Sequence, residues 1–146
     1  MDHLSIMLKP ASGMCNMRCR YCFYADETQK RSVPSYGLMT PETLEHVMRK
    51  ALDAARRSCS FCFQGGEPTL AGLDFFRRAV ELGERWNLHG CTLSYSLQTN
   101  GLLLDPEWCR FLAKHHFLVG ISLDGTRELH DANRVDAQGR GTFSRV

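Results

Sequence analysis

Long apolar runs are missing from this 146-residue sequence, and nothing in it approaches the roughly 18 consecutive apolar residues of a membrane-spanning helix. Excess charge of either sign is missing too. The formal net charge is +2, and the basic residues are scattered apart from the small pairs Arg56-Arg57 and Arg77-Arg78. Without a basic stripe to track a phosphate backbone, neither nucleic acid nor a membrane is an expected partner. No repeats, low-complexity tracts or Pro/Gly/Ser-rich linkers divide the chain, so residues 1–146 read as one domain or part of one. Nor does a leader-like segment precede the apolar stretch that begins at Leu4.

What the sequence has instead is cysteine: seven residues, an odd number that argues against a closed disulfide framework. Cys15, Cys19 and Cys22 form a C-x₃-C-x₂-C run within Gly13 to Tyr24. Thiolate is the preferred ligand of iron–sulfur clusters, and three thiolates this close together can wrap one face of a cubane. A [4Fe–4S] cluster has four irons, so three protein ligands leave one iron open to a substrate or cofactor. Zinc is the rival, with Cys59 and Cys62 joining Cys15 and Cys19 in a four-sulfur set. Against zinc, Cys59 to Gln64 reads as a strand, and residues three apart on a strand face opposite sides. Cys59, Cys62, Cys91 and Cys109 are therefore expected to be buried, unreactive thiols. The histidines at 3, 46, 89, 115, 116 and 130 show no ligand spacing.

Strand and helix signals alternate along the chain. Leu4 to Leu8 is a short apolar strand stopped by Lys9-Pro10. Thr40 is an N-cap with Pro41 and Glu42 behind it, opening a helix to about Arg57. Cys59 to Gln64 predicts a strand ending at Gly65-Gly66, Leu73 to about Asn87 a second helix, and Thr92 to Gln98 a strictly alternating strand. Asp105-Pro106-Glu107 opens a third helix to about His115-His116, and Phe117 to Leu123 predicts a fourth strand. This order argues for a parallel α/β sheet or barrel. A strand between two helix layers is apolar on both faces, whereas Ser94, Ser96 and Gln98 form a polar face, which favours a barrel interior. The cysteine loop, Gly65-Gly66, Gln98-Thr99-Asn100 and Ser122-Leu123-Asp124 then all fall at the C-terminal mouth, where such barrels carry their sites.

The cysteine run with Tyr21 before its last cysteine, followed after the second strand by Gly65-Gly66-Glu67-Pro68, resembles the radical S-adenosylmethionine (SAM) superfamily. Lys9-Pro10-Ala11-Ser12, Tyr36-Gly37-Leu38-Met39, Phe63 to Leu70, Gln98 to Gly101 and Ile121 to Gly125 resemble, more narrowly, the N-terminal part of anaerobic sulfatase-maturating enzymes. The resemblance covers essentially the whole chain and implies a partial (β/α) radical SAM barrel. It further implies a [4Fe–4S] cluster on Cys15, Cys19 and Cys22 and SAM as the ligand of the open iron. Reductive cleavage of SAM to a 5′-deoxyadenosyl radical would follow. On the same grounds Tyr21 lies near the adenine, Gly66 near the methionine amino group, Ser122 hydrogen-bonds SAM and Arg134 pairs with its carboxylate. Glu67 joins this cofactor-binding set, although it equally suits a helix N-terminus.

The implied substrate is a cysteine or serine of an unfolded sulfatase polypeptide, oxidised to Cα-formylglycine with a low-potential electron donor. The alternatives are a sibling peptide maturase that forms crosslinks, or a non-catalytic iron–sulfur or zinc-binding remnant. No catalytic residue is nominated. Four strands do not close a barrel, and Gly141 to Val146 reads as the start of a further helix. The expectation is thus a radical SAM core truncated after about four strands, without an auxiliary-cluster C-terminal domain. Such a chain is expected to cleave SAM weakly but not to mature a sulfatase alone. Its oxygen-sensitive chemistry suits a cytoplasmic setting.

Overall fold

The computed structural model describes residues 1–146. Strands β1 (His3–Leu8), β2 (Ser58–Phe63), β3 (Thr92–Thr99) and β4 (Leu118–Ile121) form one parallel sheet in the order β1-β2-β3-β4. The three crossovers run through helices α2 (Pro41–Ala54), α3 (Leu73–Trp86) and α4 (Pro106–Lys114). Right-handed crossovers between strands laid down in sequence put every helix on the same face of the sheet. Burial along the strands agrees. Leu8, Cys59, Phe61, Phe63, Tyr95 and Leu97 are buried against Leu44, Met48, Leu52, Phe76, Leu82, Trp108 and Phe111 of the helices. Phe76 sits at the centre, its ring 4.9 Å from that of Phe63 and 5.1 Å from that of Trp108.

The opposite face carries small polar side chains, with Ser60 Oγ and Ser94 Oγ 2.7 Å apart across adjacent strands. His3, Ser5, Met7, Ser94 and Gln98 on this face are exposed. The polar alternation of β3 therefore reflects a sheet covered on one side only. A sequentially ordered parallel sheet of this kind is an open portion of a (β/α) barrel, as expected.

Two helices begin as their sequences dictate. Thr40 Oγ1 accepts the Thr43 N–H at 3.2 Å, and the Asp105 carboxylate accepts the N–H groups of Glu107 and Trp108, both at 2.9 Å. Pro41 and Pro106 occupy first-turn positions, where no N–H is needed. Elsewhere the structure departs from expectation. Helices α1 (Phe23–Gln29) and α5 (Arg127–Asn133) were not anticipated; each has seven residues, and α1 buries none of them, so no apolar period marks it. The helix α2 ends at Ala54, because Ala55 turns extended. The fourth strand is shorter than Phe117 to Leu123, although the Ser122 N–H still donates to the Thr99 carbonyl at 2.9 Å. Gly141 to Val146 does not begin a long helix. Gly141 bridges antiparallel to Val135, and Phe143–Arg145 forms one 3₁₀ turn. Of the four cysteines expected to be buried, only Cys59 and Cys91 are; Cys62 is half-buried on the open face and Cys109 is exposed on α4. No helix is long and apolar enough to cross a membrane.

Candidate functional site

The ends of the strands surround a cleft of about 230 Å³. Cys15, Cys19, Tyr21 and Cys22 reach it from the loop after β1, Gly65, Gly66 and Glu67 from the loop after β2, and Gln98, Thr99 and Asn100 from the end of β3. Ser122 follows β4 and Arg134 follows α5. Every residue singled out for metal or cofactor binding thus lines this one cleft. A second cavity of about 480 Å³ adjoins it, sharing Cys15, Met17, Cys22, Tyr24 and Gly66. The larger groove between α3 and α4, about 520 Å³, is lined by solvated charges such as Arg77, Glu81, Glu107 and Lys114 and carries none of this chemistry.

The cysteine loop is clamped from two directions. On one side the Arg18 N–H donates to the Val135 carbonyl at 2.7 Å and the Arg20 N–H to the Asn133 carbonyl at 2.9 Å, while buried Met17 bridges Asp136. On the other, the Glu67 N–H donates to the Met14 carbonyl at 2.8 Å. Gly66 has φ +58°, and a Cβ there would collide with the Met14 carbonyl oxygen. Close backbone approach therefore does demand glycine at this position, but the partner is the cysteine loop itself. The peptide N–H and C=O of Gly66 take no part in the hydrogen bonding of the surrounding chain.

Glu67 is buried, with 1% of its surface exposed. One carboxylate oxygen accepts from Thr69 N (3.0 Å), Thr69 Oγ1 (2.6 Å) and Thr99 Oγ1 (2.7 Å), and the other from Asn100 N (2.7 Å). A buried charge needs such compensation. Because its donors all belong to the protein, Glu67 acts as a latch between β2 and β3 and as the cap of the 3₁₀ turn Pro68–Ala71, which narrows its expected role as a cofactor contact.

Asn100, which the sequence reading gave no role, links this latch to the cysteines. Its Nδ2 donates to Asn16 Oδ1 at 2.8 Å and reaches Cys15 Sγ at 3.8 Å, and its Oδ1 accepts the Leu102 N–H at 3.0 Å. The Met17 N–H also points at Cys15 Sγ, 3.4 Å away. Burial pushes the Cys15 thiol up; the Met17 N–H opposes that, and the nearby charges of Glu67, Cys19 and Cys22 add to it. Burial likewise raises Cys19, with the Arg134 charge opposing. A bound metal reverses such a shift, since a coordinating thiol is deprotonated.

Arg134 is 8% exposed. Its Nη1 donates to Tyr21 Oη at 2.7 Å and lies 3.8 Å from Asp124 Oδ1, while Tyr21 Oη donates to Asp124 Oδ2 at 2.5 Å. Burial alone would lower the guanidinium pKa, but Tyr21, Cys19 and Asp124 outweigh it and raise the value. The Nε–H of Arg134 is buried without a partner. Asp124 is a second residue given no role by the sequence reading, its only signal being its place in the strand-end run Ser122 to Gly125. Ser122 Oγ accepts from Gln98 Nε2 at 3.0 Å, which leaves its own hydroxyl proton available.

No three His, Cys, Asp or Glu side chains converge on a point suited to a single metal ion. Cys59 is in the core, and neither it nor Cys62 lines the cleft, so the four-sulfur zinc set is not assembled. Three thiols around one cleft, beside an unpartnered guanidinium N–H, instead fit a thiolate-held cluster adjoining an anionic ligand.

Known proteins give the same direction. The chain is 49% identical over 146 residues to a cysteine-type anaerobic sulfatase-maturating enzyme of Clostridium perfringens, covering 100% of this chain and 40% of that protein. It is 43% identical over 143 residues to a serine-type anaerobic sulfatase-maturating enzyme of Klebsiella aerogenes, covering 95% of this chain and 34% of that protein. Among solved structures it is similar to native anSMEcpe with bound AdoMet, with a TM-score of 0.92, 49% identity, and coverage of 97% of this chain and 39% of that one. It is similar as well to native anSMEcpe with bound AdoMet and Cp18Cys peptide, with a TM-score of 0.90, 48% identity, and coverage of 98% and 37%. The chain thus spans about two-fifths of the length of the first of these relatives. The model of the Radical SAM superfamily matches residues 10–146, nearly the full length and the whole of the cleft. The chain belongs to the radical SAM superfamily.

Proposed function

We propose that this chain holds a [4Fe–4S] cluster on Cys15, Cys19 and Cys22 and binds SAM at the iron they leave open. In this reading it is the radical-generating part of an enzyme that oxidises a cysteine or serine of an unfolded sulfatase to Cα-formylglycine. The observation that carries it is the convergence of three cysteines, Tyr21, Ser122 and Arg134 on one cleft, in a chain 49% identical to an anaerobic sulfatase-maturating enzyme. When bound, the cluster supplies the electron that cleaves the sulfonium of SAM to methionine and a 5′-deoxyadenosyl radical.

The residues of this chain bind and orient. The free Nε–H of Arg134 is a charged donor suited to the SAM carboxylate. The Gly66 carbonyl, outside the local hydrogen-bond network, suits the amino group. The available hydroxyl proton of Ser122 is a further donor, and the 56% exposed ring of Tyr21 offers a surface for the adenine. Similarity to a structure holding a peptide supports a peptide substrate, and a low-potential donor would supply the electrons.

The test is anaerobic reconstitution with iron and sulfide, followed by SAM and a strong reductant, with 5′-deoxyadenosine as the readout. Cleavage is expected in the loaded chain and not in Cys15→Ser, Cys19→Ser or Cys22→Ser. A fully loaded chain that leaves SAM intact would overturn the reading.

A further inference from the structure

We infer that His130 and Thr142, neither of which the cleft exposes, form a buried relay that positions Arg134 and Asp124 at its rim. This rests on the reading above only for the identity of the ligand, SAM.

The relay has one consistent direction. The Asp124 N–H donates to His130 Nδ1 at 3.5 Å, so Nδ1 is the acceptor and the ring proton sits on Nε2. Nε2 lies 3.0 Å from Thr142 Oγ1 and donates to it, and that hydroxyl in turn donates a hydrogen bond to the Arg134 carbonyl at 2.9 Å. Both side chains are fully buried, at 0% exposure. The Arg134 N–H closes the turn on the His130 carbonyl at 2.6 Å. One imidazole therefore holds the backbone of both residues whose side chains form the ion pair at the cleft.

The closing segment is built to deliver that hydroxyl. The Asp131 carboxylate accepts the Phe143 N–H at 2.8 Å, and it packs so tightly on Gly141 that a Cβ there would collide with it. Gly141 bridges Val135, and the Phe143 ring stands edge-on to His130 with centroids 5.5 Å apart. Packing alone does not explain the choice of side chains, since replacing both partners of a buried polar pair by apolar groups of the same shape is close to neutral. Polar groups are required here because the ends of the relay are a peptide N–H and a peptide carbonyl that fix where Asp124 and Arg134 stand.

The variant Thr142→Val keeps the shape and removes the hydroxyl; Thr142→Ser keeps the hydroxyl. In the cluster-loaded chain, SAM affinity by equilibrium dialysis is expected to fall about tenfold in Thr142→Val, the scale of one lost buried hydrogen bond, with iron and sulfide content unchanged. Thr142→Ser should restore it. In an Arg134→Met background the Thr142→Val effect should vanish, which a general loss of stability would not produce. An affinity within about twofold of the parent, or the same loss in the Arg134→Met background, would overturn the relay. If the loaded parent chain binds no SAM, the functional reading fails, and the Arg134 Nε–H resonance in the unloaded chain decides the relay alone. Loss of that resonance in Thr142→Val with retention in Thr142→Ser supports it, and retention in both overturns it. Should Thr142→Val not fold, His130→Asn takes its place under the same criteria, keeping an acceptor for Asp124 N–H while losing the Nε2 link.

Discussion

Glu67 carries a charge where water does not reach, and four donors answer it. Glu67→Gln turns one carboxylate oxygen into an NH₂ group that faces a donor, so a loss of about 2–3 kcal/mol is expected in urea unfolding, with a lower midpoint and an unchanged slope. Asp136 makes a pH prediction. The Arg140 N–H holds its carboxyl below the ordinary value of 3.8; burial opposes this, and the Arg140 side chain and the Gln138 N–H reinforce it. A depressed folded pKa gives stability that is complete above the unfolded value and is lost as pH falls through the folded one. Asp136→Asn should therefore flatten the acid limb of the stability curve below about pH 4, as followed by circular dichroism. Thiol reactivity separates the remaining cysteines. Burial, with Cys91 adjacent, pushes Cys59 up to about 11, whereas Cys109 is exposed. Alkylation read by mass spectrometry should reach Cys109 well before Cys59 or Cys91, and simultaneous labelling would contradict the burial described. At this scale the placement of Cys15, Cys19, Cys22 and Glu67 at the cleft was legible because their spacing in sequence carries the pattern, whereas the latch that Glu67 makes to Thr99 and Asn100 was not. The contacts of Asn100 and Asp124, which their strand-end runs had already put at the mouth, and the role of His130 were not legible either, because they exist only where separate loops meet.

The starts of helices α2 and α4 were legible to the residue, because a capping side chain followed by proline fixes where the first turn can start. Asp105→Ala removes the acceptor for two N–H groups, and a destabilisation of about 1 kcal/mol is expected. Helix α3 has no such cap, since Gly72 precedes it, and it was legible through its apolar face alone. Phe76 anchors that face, so Phe76→Ala should lower unfolding free energy by about 3–5 kcal/mol, the largest single effect predicted. The seven-residue helices α1 and α5 are too short for a period to emerge; α5 is set by the Thr126 cap and by burial of His130 alone. The closing segment misled for a related reason. Its glycine and threonine serve contacts with Asp131 and His130, which local propensity does not encode.

The whole molecule is a one-sided sheet with its chemistry gathered at the C-terminal edge. Strand–helix alternation predicted the parallel order, and the polar face of β3 predicted that no second helix layer covers it. Three loops and the segment after α5 converge on the cysteines because parallel strands all release their chains at the same end. We propose that this convergence holds a cluster with one iron open to SAM. The most direct measurement is the iron and sulfide content of the anaerobically reconstituted chain, with the electron paramagnetic resonance spectrum of its reduced form before and after SAM is added. About four irons and four sulfides per chain are expected, with a spectrum that changes when SAM binds; zinc without sulfide, or a cluster spectrum indifferent to SAM, would overturn the proposal.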